Sequence, residues 1–213
     1  MYIVDEVIYF PNVTQADEDG LLAIGGDLSK ERLQLAYSSG IFPWYEDDQP
    51  ILWFSPDPRM VLFFDNLKIS KSTRQYLKKA GFSITFNKAF EQVIFNCATI
   101  KRKEQEGTWI TNDMMNAYIE LHKIGVAKSV EVWKDDILVG GLYGVDLYEQ
   151  KVFCGESMFS KESNASKAAF IFLSKYYQAK SYKLVDCQIH NDYLESLGCV
   201  EIARDDFIRI LKA

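Results

Sequence analysis

Two short segments of this 213-residue chain carry polar side chains where the surrounding pattern is apolar. One is Phe153-Cys-Gly-Glu156-Ser-Met-Phe159; the other is Leu184-Val-Asp186-Cys-Gln188-Ile189. If both run as strands, side chains alternate, so Asp186 and Gln188 share one face while Val185 and Cys187 take the other. A carboxylate beside an amide at the edge of an apolar sheet suits proton handling. Asp186 would accept a proton or hold positive charge, and Gln188 would orient a group that it cannot itself deprotonate. Glu156 is a second anchor for an amine. A structural reading stays open beside this one: Asp186 caps the next turn and Glu156 meets a surface lysine. Ser157 lacks the second glycine of a nucleophile elbow and reads as structural or pocket-lining.

Other chemistries find little to work with. His122 and His190 are the two histidines, and Cys97, Cys154, Cys187 and Cys199 form no Cys-x-x-Cys pair. No zinc or iron ligand set emerges, and a Ser-His-Asp triad would have to use one of those two histidines. Gly25-Gly26 lacks the lysine and glycine spacing of a phosphate loop and reads as a tight turn. The chain opens without the basic start and long apolar run of a signal peptide, and no apolar stretch approaches a membrane span. Reduced, mostly buried thiols, a cytoplasmic location and no membrane partner are expected.

The elements that must position these residues fall into two units, 1–60 and 61–213. The first is turn-rich, with a short helix over 30–38 capped by Ser29 and ending at Gly40. From Gly40 to Arg59 it holds four of the five prolines together with Phe42, Trp44, Tyr45, Trp53 and Phe54. Proline fixes its own φ and removes a donor, so a stiff, mostly extended loop is expected, carrying flat rings to a pocket wall or into the core. In the second unit, strands are predicted over 60–64, 82–86, 129–134, 137–143, 151–157, 183–188, 199–203 and 207–211. Helices are predicted over 71–80, capped by Ser70, and over 88–100, 112–125, 165–179, capped by Asn164, and 192–197. Hairpin, strand, helix, strand, helix, strand is the order of a mixed sheet with helices packed on it, an α+β fold; it is also the order of GNAT-type acyltransferases.

Charge is segregated along the chain. The net charge is −6, yet 68–103 holds nine Lys/Arg, from Lys68 to Lys103, against Glu91 alone. On the helix over 71–80, Lys71, Arg74 and Lys78 fall on one outward face, with Lys68 and Lys79 nearby. Such a stripe on an acidic body fits phosphate, and a solvated charged face is the bland alternative.

Eight blocks together carry a family resemblance: 21–29 (Leu-Leu-Ala-Ile-Gly-Gly-Asp-Leu-Ser), Gly40-Ile-Phe-Pro-Trp44, Trp53-Phe-Ser-Pro-Asp-Pro-Arg59, Gly107-Thr-Trp-Ile110, Val139-Gly-Gly-Leu-Tyr-Gly-Val145, Gly155-Glu-Ser-Met-Phe-Ser160, Asn164-Ala-Ser-Lys167 and Asp186-Cys-Gln188. In this order they resemble bacterial leucyl/phenylalanyl-tRNA-protein transferases over nearly the whole chain. The resemblance implies a small N-terminal domain, 1–60, followed by a GNAT-like acyltransferase domain, 61–213. It implies transfer of Leu or Phe from charged tRNA to the α-amine of a protein or peptide beginning with Arg or Lys, which marks that protein for degradation. No metal, no cofactor and no covalent enzyme intermediate are implied. By the same resemblance Asp186 and Gln188 form the proton relay, and Glu156 helps hold the reacting groups. Trp44, Trp109, Tyr118, Phe153, Ser157, Met158 and Val185 match the apolar aminoacyl pocket, with Trp44 at its mouth and Trp53 and Phe54 in the core. Lys68, Lys71, Arg74, Lys78 and Lys79 match a stretch that meets tRNA phosphates. Phe54, Lys128 and Tyr193 depart from the usual Trp, His and His. Another GNAT-fold acyltransferase, or a non-catalytic tRNA-binding module, is the competing reading.

Overall fold

The computed structural model describes residues 2–100 and 109–213. Lys101, Arg102 and Lys103 of the basic stretch and Gly107 and Thr108 of one motif lie outside the described residues.

The first part of the chain builds a four-stranded sheet from β1 (Tyr2–Val4), β2 (Leu21–Gly25), β3 (Phe42–Pro43) and β4 (Leu52–Phe54), in the order β1-β2-β4-β3. Helix α1 (Lys30–Ser38) leads into β3, and Ser29 caps it by accepting from the Arg32 N–H, as its sequence position predicts. The Gly40–Arg59 segment therefore departs from the expected loop. Pro43 sits on an edge strand, where a missing donor costs nothing, and proline-free Leu52–Phe54 runs inside the sheet. Trp53 is fully buried and donates its indole N–H to the Gly25 carbonyl at 2.9 Å. Its core placement is the expected one.

A seven-stranded mixed sheet follows, in the order β11-β5-β10-β9-β8-β7-β6. Its strands are β5 (Arg59–Phe63), β6 (Ser83–Phe86), β7 (Ala127–Lys134), β8 (Ile137–Leu147), β9 (Val152–Ser160), β10 (Leu184–Gln188) and β11 (Val200–Ile202). Period-two alternation sends neighbouring residues to opposite faces. Met60, Leu62, Phe153 and Val185 face one core with α5 (Ala165–Gln178); Val61, Val152, Cys154 and Leu184 face the other. That second core is continuous with α1, β4, α3 (Phe90–Thr99) and α4 (Asn112–Lys123), so one apolar interior runs from the small sheet to the large one. Helices on both faces of a mixed sheet are the layered arrangement that the sequence predicts.

Two local expectations need correction. Residues 207–211 form no strand: they lie in α7 (Arg204–Lys212), where Phe207 and Leu211 at i, i+4 face inward. Asp205 and Asp206 in its first turn and Lys212 in its last complement the helix dipole, a stronger signal than a short apolar run. Asn164 stands at the N-cap position of α5 but in a left-handed conformation, and its side chain makes no capping hydrogen bond. The Ser160 hydroxyl accepts from the Ser166 N–H instead.

Helix α2 (Lys71–Lys79) begins at Ser70, which caps it as predicted, and α6 (Asp192–Ser196) follows β10. The Lys68 N–H donates to the Leu197 carbonyl at 2.8 Å, so the start of α2 lies against the end of α6. Gly198 makes this possible. At φ +104° a Cβ would lie 1.9 Å from the Asn66 oxygen.

Candidate active site

Strands β9 and β10 are parallel neighbours, but their ladder covers only Val152–Cys154 against Leu184–Asp186. Beyond it each strand bulges. β9 shifts register against β8 so that Tyr143 pairs with Ser157 and Gly144 with Gly155, leaving Glu156 as the extra residue. β10 shifts against β5 between Asp186 and Gln188, and Gln188 takes φ +67°, a conformation that costs any residue but glycine. The strands part here, and Glu156 and Gln188 turn toward each other across the gap. Gln188 Nε2 donates to Glu156 Oε1 at 2.7 Å.

The gap opens into two cavities that share Trp109, Glu156, Cys187, Gln188, Asn191 and Leu194. The first, about 350 Å³, is walled by Leu142, Phe153, Met158, Phe170, Leu173 and Val185, between the sheet and α5. The second, about 290 Å³, is walled by Phe42, Pro43, Trp44, Ile189 and Asn191. Trp44 is 40% exposed, which sets it apart from the buried rings around it. Of the residues expected at a pocket, Trp109, Phe153, Ser157, Met158 and Val185 line the first cavity and Trp44 the second. Tyr118 lines neither; it is buried behind Glu156 and donates its hydroxyl to Oε2 at 3.0 Å. Tyr37 of α1 in turn bonds the Tyr118 hydroxyl.

Glu156 therefore has a donor on each oxygen, from Tyr118 and from Gln188. Burial raises its pKa more than these hydrogen bonds lower it, and the carboxyl is pushed up to about 8. Tyr118, buried beside Glu156, is pushed well above the ordinary phenol range and stays protonated as a donor. A carboxyl titrating near neutrality at the junction of two cavities is equipped to take up a proton.

Asp186 is placed differently from what strand alternation predicts. The bulge breaks the period, so the Asp186 and Gln188 side chains take separate partners. Asp186 is fully buried, lines neither cavity, and binds the Arg59 guanidinium with both oxygens, Nε–Oδ1 at 2.8 Å and Nη2–Oδ2 at 2.7 Å. Burial opposes the Arg59 charge, but the Asp186 carboxylate more than offsets it and raises the Arg59 pKa. Removing one partner of such a pair costs about 3–5 kcal/mol, whereas replacing both by apolar residues is often neutral.

Lys68, Lys71, Arg74, Lys78 and Lys79 are all exposed, and none joins an ion pair among the described residues. Sequence reasoning missed Tyr37, Arg59, Leu142, Phe170 and Leu173. Arg59 had a visible signal, a charged residue opening the apolar strand Arg59–Phe63. Tyr37 had none beyond its place on the apolar side of α1.

A family model described as leucyl/phenylalanyl-tRNA protein transferase matches residues 61–212, and a model of that family's N-terminal domain matches residues 26–57. A leucyl/phenylalanyl-tRNA–protein transferase from Flavobacterium johnsoniae is 62% identical over 213 residues, covering 100% of both chains. The chain belongs to this family. One from Flavobacterium psychrophilum is 58% identical, again over 100% of each chain, and one from Christiangramia forsetii is 55% identical over 99% of this chain and 100% of that one. As a member of the leucyl/phenylalanyl-tRNA protein transferase family, the protein is an aminoacyltransferase enzyme that works with tRNA. Solved structures are more distant. L-PGS from Bacillus licheniformis matches at TM-score 0.42 and 14% identity, covering 80% of this chain and 54% of that one. An aminoglycoside acetyltransferase from an uncultured soil metagenomic sample, in complex with sisomicin, matches at TM-score 0.41 and 16% identity, covering 63% and 90%. At these scores the likeness bears on nothing beyond a general resemblance of shape. Among the described residues no helix is long and apolar enough to cross a membrane.

Proposed function

We propose that the protein moves leucine or phenylalanine from charged tRNA to the α-amine of a protein that begins with Arg or Lys, marking it for degradation in the cytoplasm. The observation that carries this reading is the Glu156–Gln188 pair at the junction of the two cavities. The first cavity is apolar and of a size for a branched or aromatic side chain. Met158 in its wall adapts to both shapes. The second offers the rings of Trp44 and Trp109 to the terminal nucleoside, whose base any flat ring can stack upon. The ester then lies between them, beside Glu156 and Gln188.

The reaction is aminolysis. The neutral acceptor amine attacks the ester carbonyl carbon, a C–N bond forms, the bond to the ribose oxygen breaks, and that oxygen leaves with a proton. The Glu156 carboxylate takes the proton that the amine gives up and passes it to the departing ribose oxygen, which regenerates the carboxylate. Gln188 spends its NH₂ on Glu156, so its amide oxygen is free to accept from the incoming amine and aim its lone pair. Asp186, expected in the relay, serves by holding Gln188: its Oδ1 accepts the Gln188 N–H at 3.0 Å. Because the ester is already activated, most of the rate comes from holding amine and ester in contact, with no covalent enzyme intermediate.

The exposed cations of α2 carry the acceptor stem. The chain entering α2 lies near the site, since Lys68 packs against the end of α6, and Leu194 of α6 lines both cavities. Phosphate contacts of this kind hold a stem without reading its sequence. The test is a transfer assay with purified Leu-tRNA and peptides that differ only in their first residue. Transfer to Arg- and Lys-starting peptides and not to Ala-starting ones is expected; equal transfer to all three would refute the acceptor assignment.

A further inference from the structure

We infer that Arg59 is a positioning residue for this transfer: it clamps the Asp186 carboxylate, which holds Gln188 in the pose that meets Glu156, and it ties the Trp44 segment to the same frame. The inference rests on the roles given above to Glu156 and Gln188.

Arg59 is 1% exposed and lines neither cavity, so it touches no substrate. Its guanidinium reaches three segments that are far apart in the chain. Nε and Nη2 bind Asp186 as a bidentate fork, and Nη1 donates to the Gly40 carbonyl at 3.2 Å. The rings of Phe42 and Phe207 lie 4.8 and 4.7 Å from its carbon. Phe207 belongs to α7, so the last helix of the chain closes over this charge.

The consequence for the site follows from Asp186 Oδ1, which accepts from Arg59 Nε and from the Gln188 N–H together. A glutamine held at φ +67° relaxes unless its surroundings over-determine it. The Asp186 oxygen supplies that constraint, and Arg59 fixes the oxygen. On the other side, Gly40 has φ +78°, and a Cβ there would lie 2.5 Å from the Ile208 side chain. Gly40 is thus pinned between Arg59 and α7, four residues before Trp44. Lysine cannot reproduce the fork, having one point charge in place of a planar pair of donors.

The decisive comparison is between Arg59→Met and the double variant Arg59→Met/Asp186→Leu. The single variant leaves a buried carboxylate unpaired and loses thermal stability. The double variant removes both charges and recovers most of the lost melting temperature. If Arg59 positions the site, the double variant stays about 100-fold below wild type in kcat, because nothing then holds the Gln188 N–H, while KM for Leu-tRNA changes by less than about threefold. Recovery of kcat together with melting temperature would overturn the inference and leave the pair a structural one. Val132→Ala, a core change in β7 away from the site, controls for stability: at a matched loss of melting temperature it keeps wild-type kcat. If the double variant does not fold, Phe207→Leu decides, since it takes one ring from the guanidinium and keeps the pair. A kcat lowered about tenfold at unchanged KM supports the inference; a wild-type kcat overturns it. A wild-type enzyme that transfers neither Leu nor Phe to an Arg-starting peptide would refute the reaction itself, a different outcome from any of these.

Discussion

Gln188 of β10 donates its side-chain amide to Glu156 of β9 at 2.7 Å, although the two strands stop pairing at Asp186 and Cys154. The hydrogen bond bridges a gap that two bulges create, and both cavities open from this gap.

If Glu156 is the proton acceptor, Glu156→Gln keeps the shape and removes the base. We expect kcat/KM for Leu transfer to fall about 100- to 1,000-fold, within the range for loss of a general base. Charged-tRNA binding, measured separately, stays near wild type. An activity loss below about threefold would remove Glu156 from the proton step.

The pH dependence carries the same idea with a different readout. With Glu156 pushed up to about 8 and an α-amine of about 7.7–8.0, wild type needs two protons released below pH 8. The logarithm of kcat/KM should rise with a slope approaching two below about pH 7, reduced to one in Glu156→Gln. A wild-type slope of one would show that a single ionisation, that of the amine, governs the rate.

Stability gives an independent check. The folded-state pKa of Glu156 is raised from its ordinary 4.5 to about 8, so between these values the folded protein keeps a proton that the unfolded chain has released. Stability from this group therefore falls as pH rises from 4.5 to 8 and levels off above. Glu156→Gln escapes the penalty. Its melting temperature should gain on wild type steadily across that window; a constant difference from pH 4 to pH 9 would contradict the raised pKa.

The first cavity sets donor choice if it holds the aminoacyl side chain. Val185→Leu narrows it by one methylene, which should reduce Phe transfer relative to Leu transfer about tenfold. Competition between Leu-tRNA and Phe-tRNA in one reaction reads the ratio directly. An unchanged ratio would place the donor side chain elsewhere.

Reversal of Lys71, Arg74 and Lys78 to Glu tests the basic face. Each lost phosphate contact should flatten the slope of log affinity against log salt by about 0.7–0.9, so the triple variant loses about two to three units. Binding equal to that of wild type at each of two salt concentrations would make the face merely solvated.

Much of the fold was legible because its signals are local. Ser29 and Ser70 each accept from the N–H three residues on, and the predicted strands 129–134 and 137–143 pair as the hairpin of β7 and β8. Helix α7 was misread because three or four apolar residues fit a strand or a helix face alike. Glu156, Gln188 and Asp186 were visible as polar interruptions of apolar strands. Their partnerships were not. The alternation that set Asp186 beside Gln188 holds only for an unbroken ladder, and nothing in the residue types announces the bulge at Cys187.

By itself the sequence determined most element types, the basic face of α2 and the presence of a carboxylate and an amide at the end of an apolar strand. Only the tertiary structure decided which carboxylate meets the cavities. Glu156 owes its raised pKa to burial, against which the hydrogen bonds of Tyr118 and Gln188, 38 and 32 residues away, act only in part, while Asp186 pairs with Arg59 at a separation of 127. Charge pairing and desolvation depend on distance in space, and a chain encodes those distances only through the packing of the whole fold.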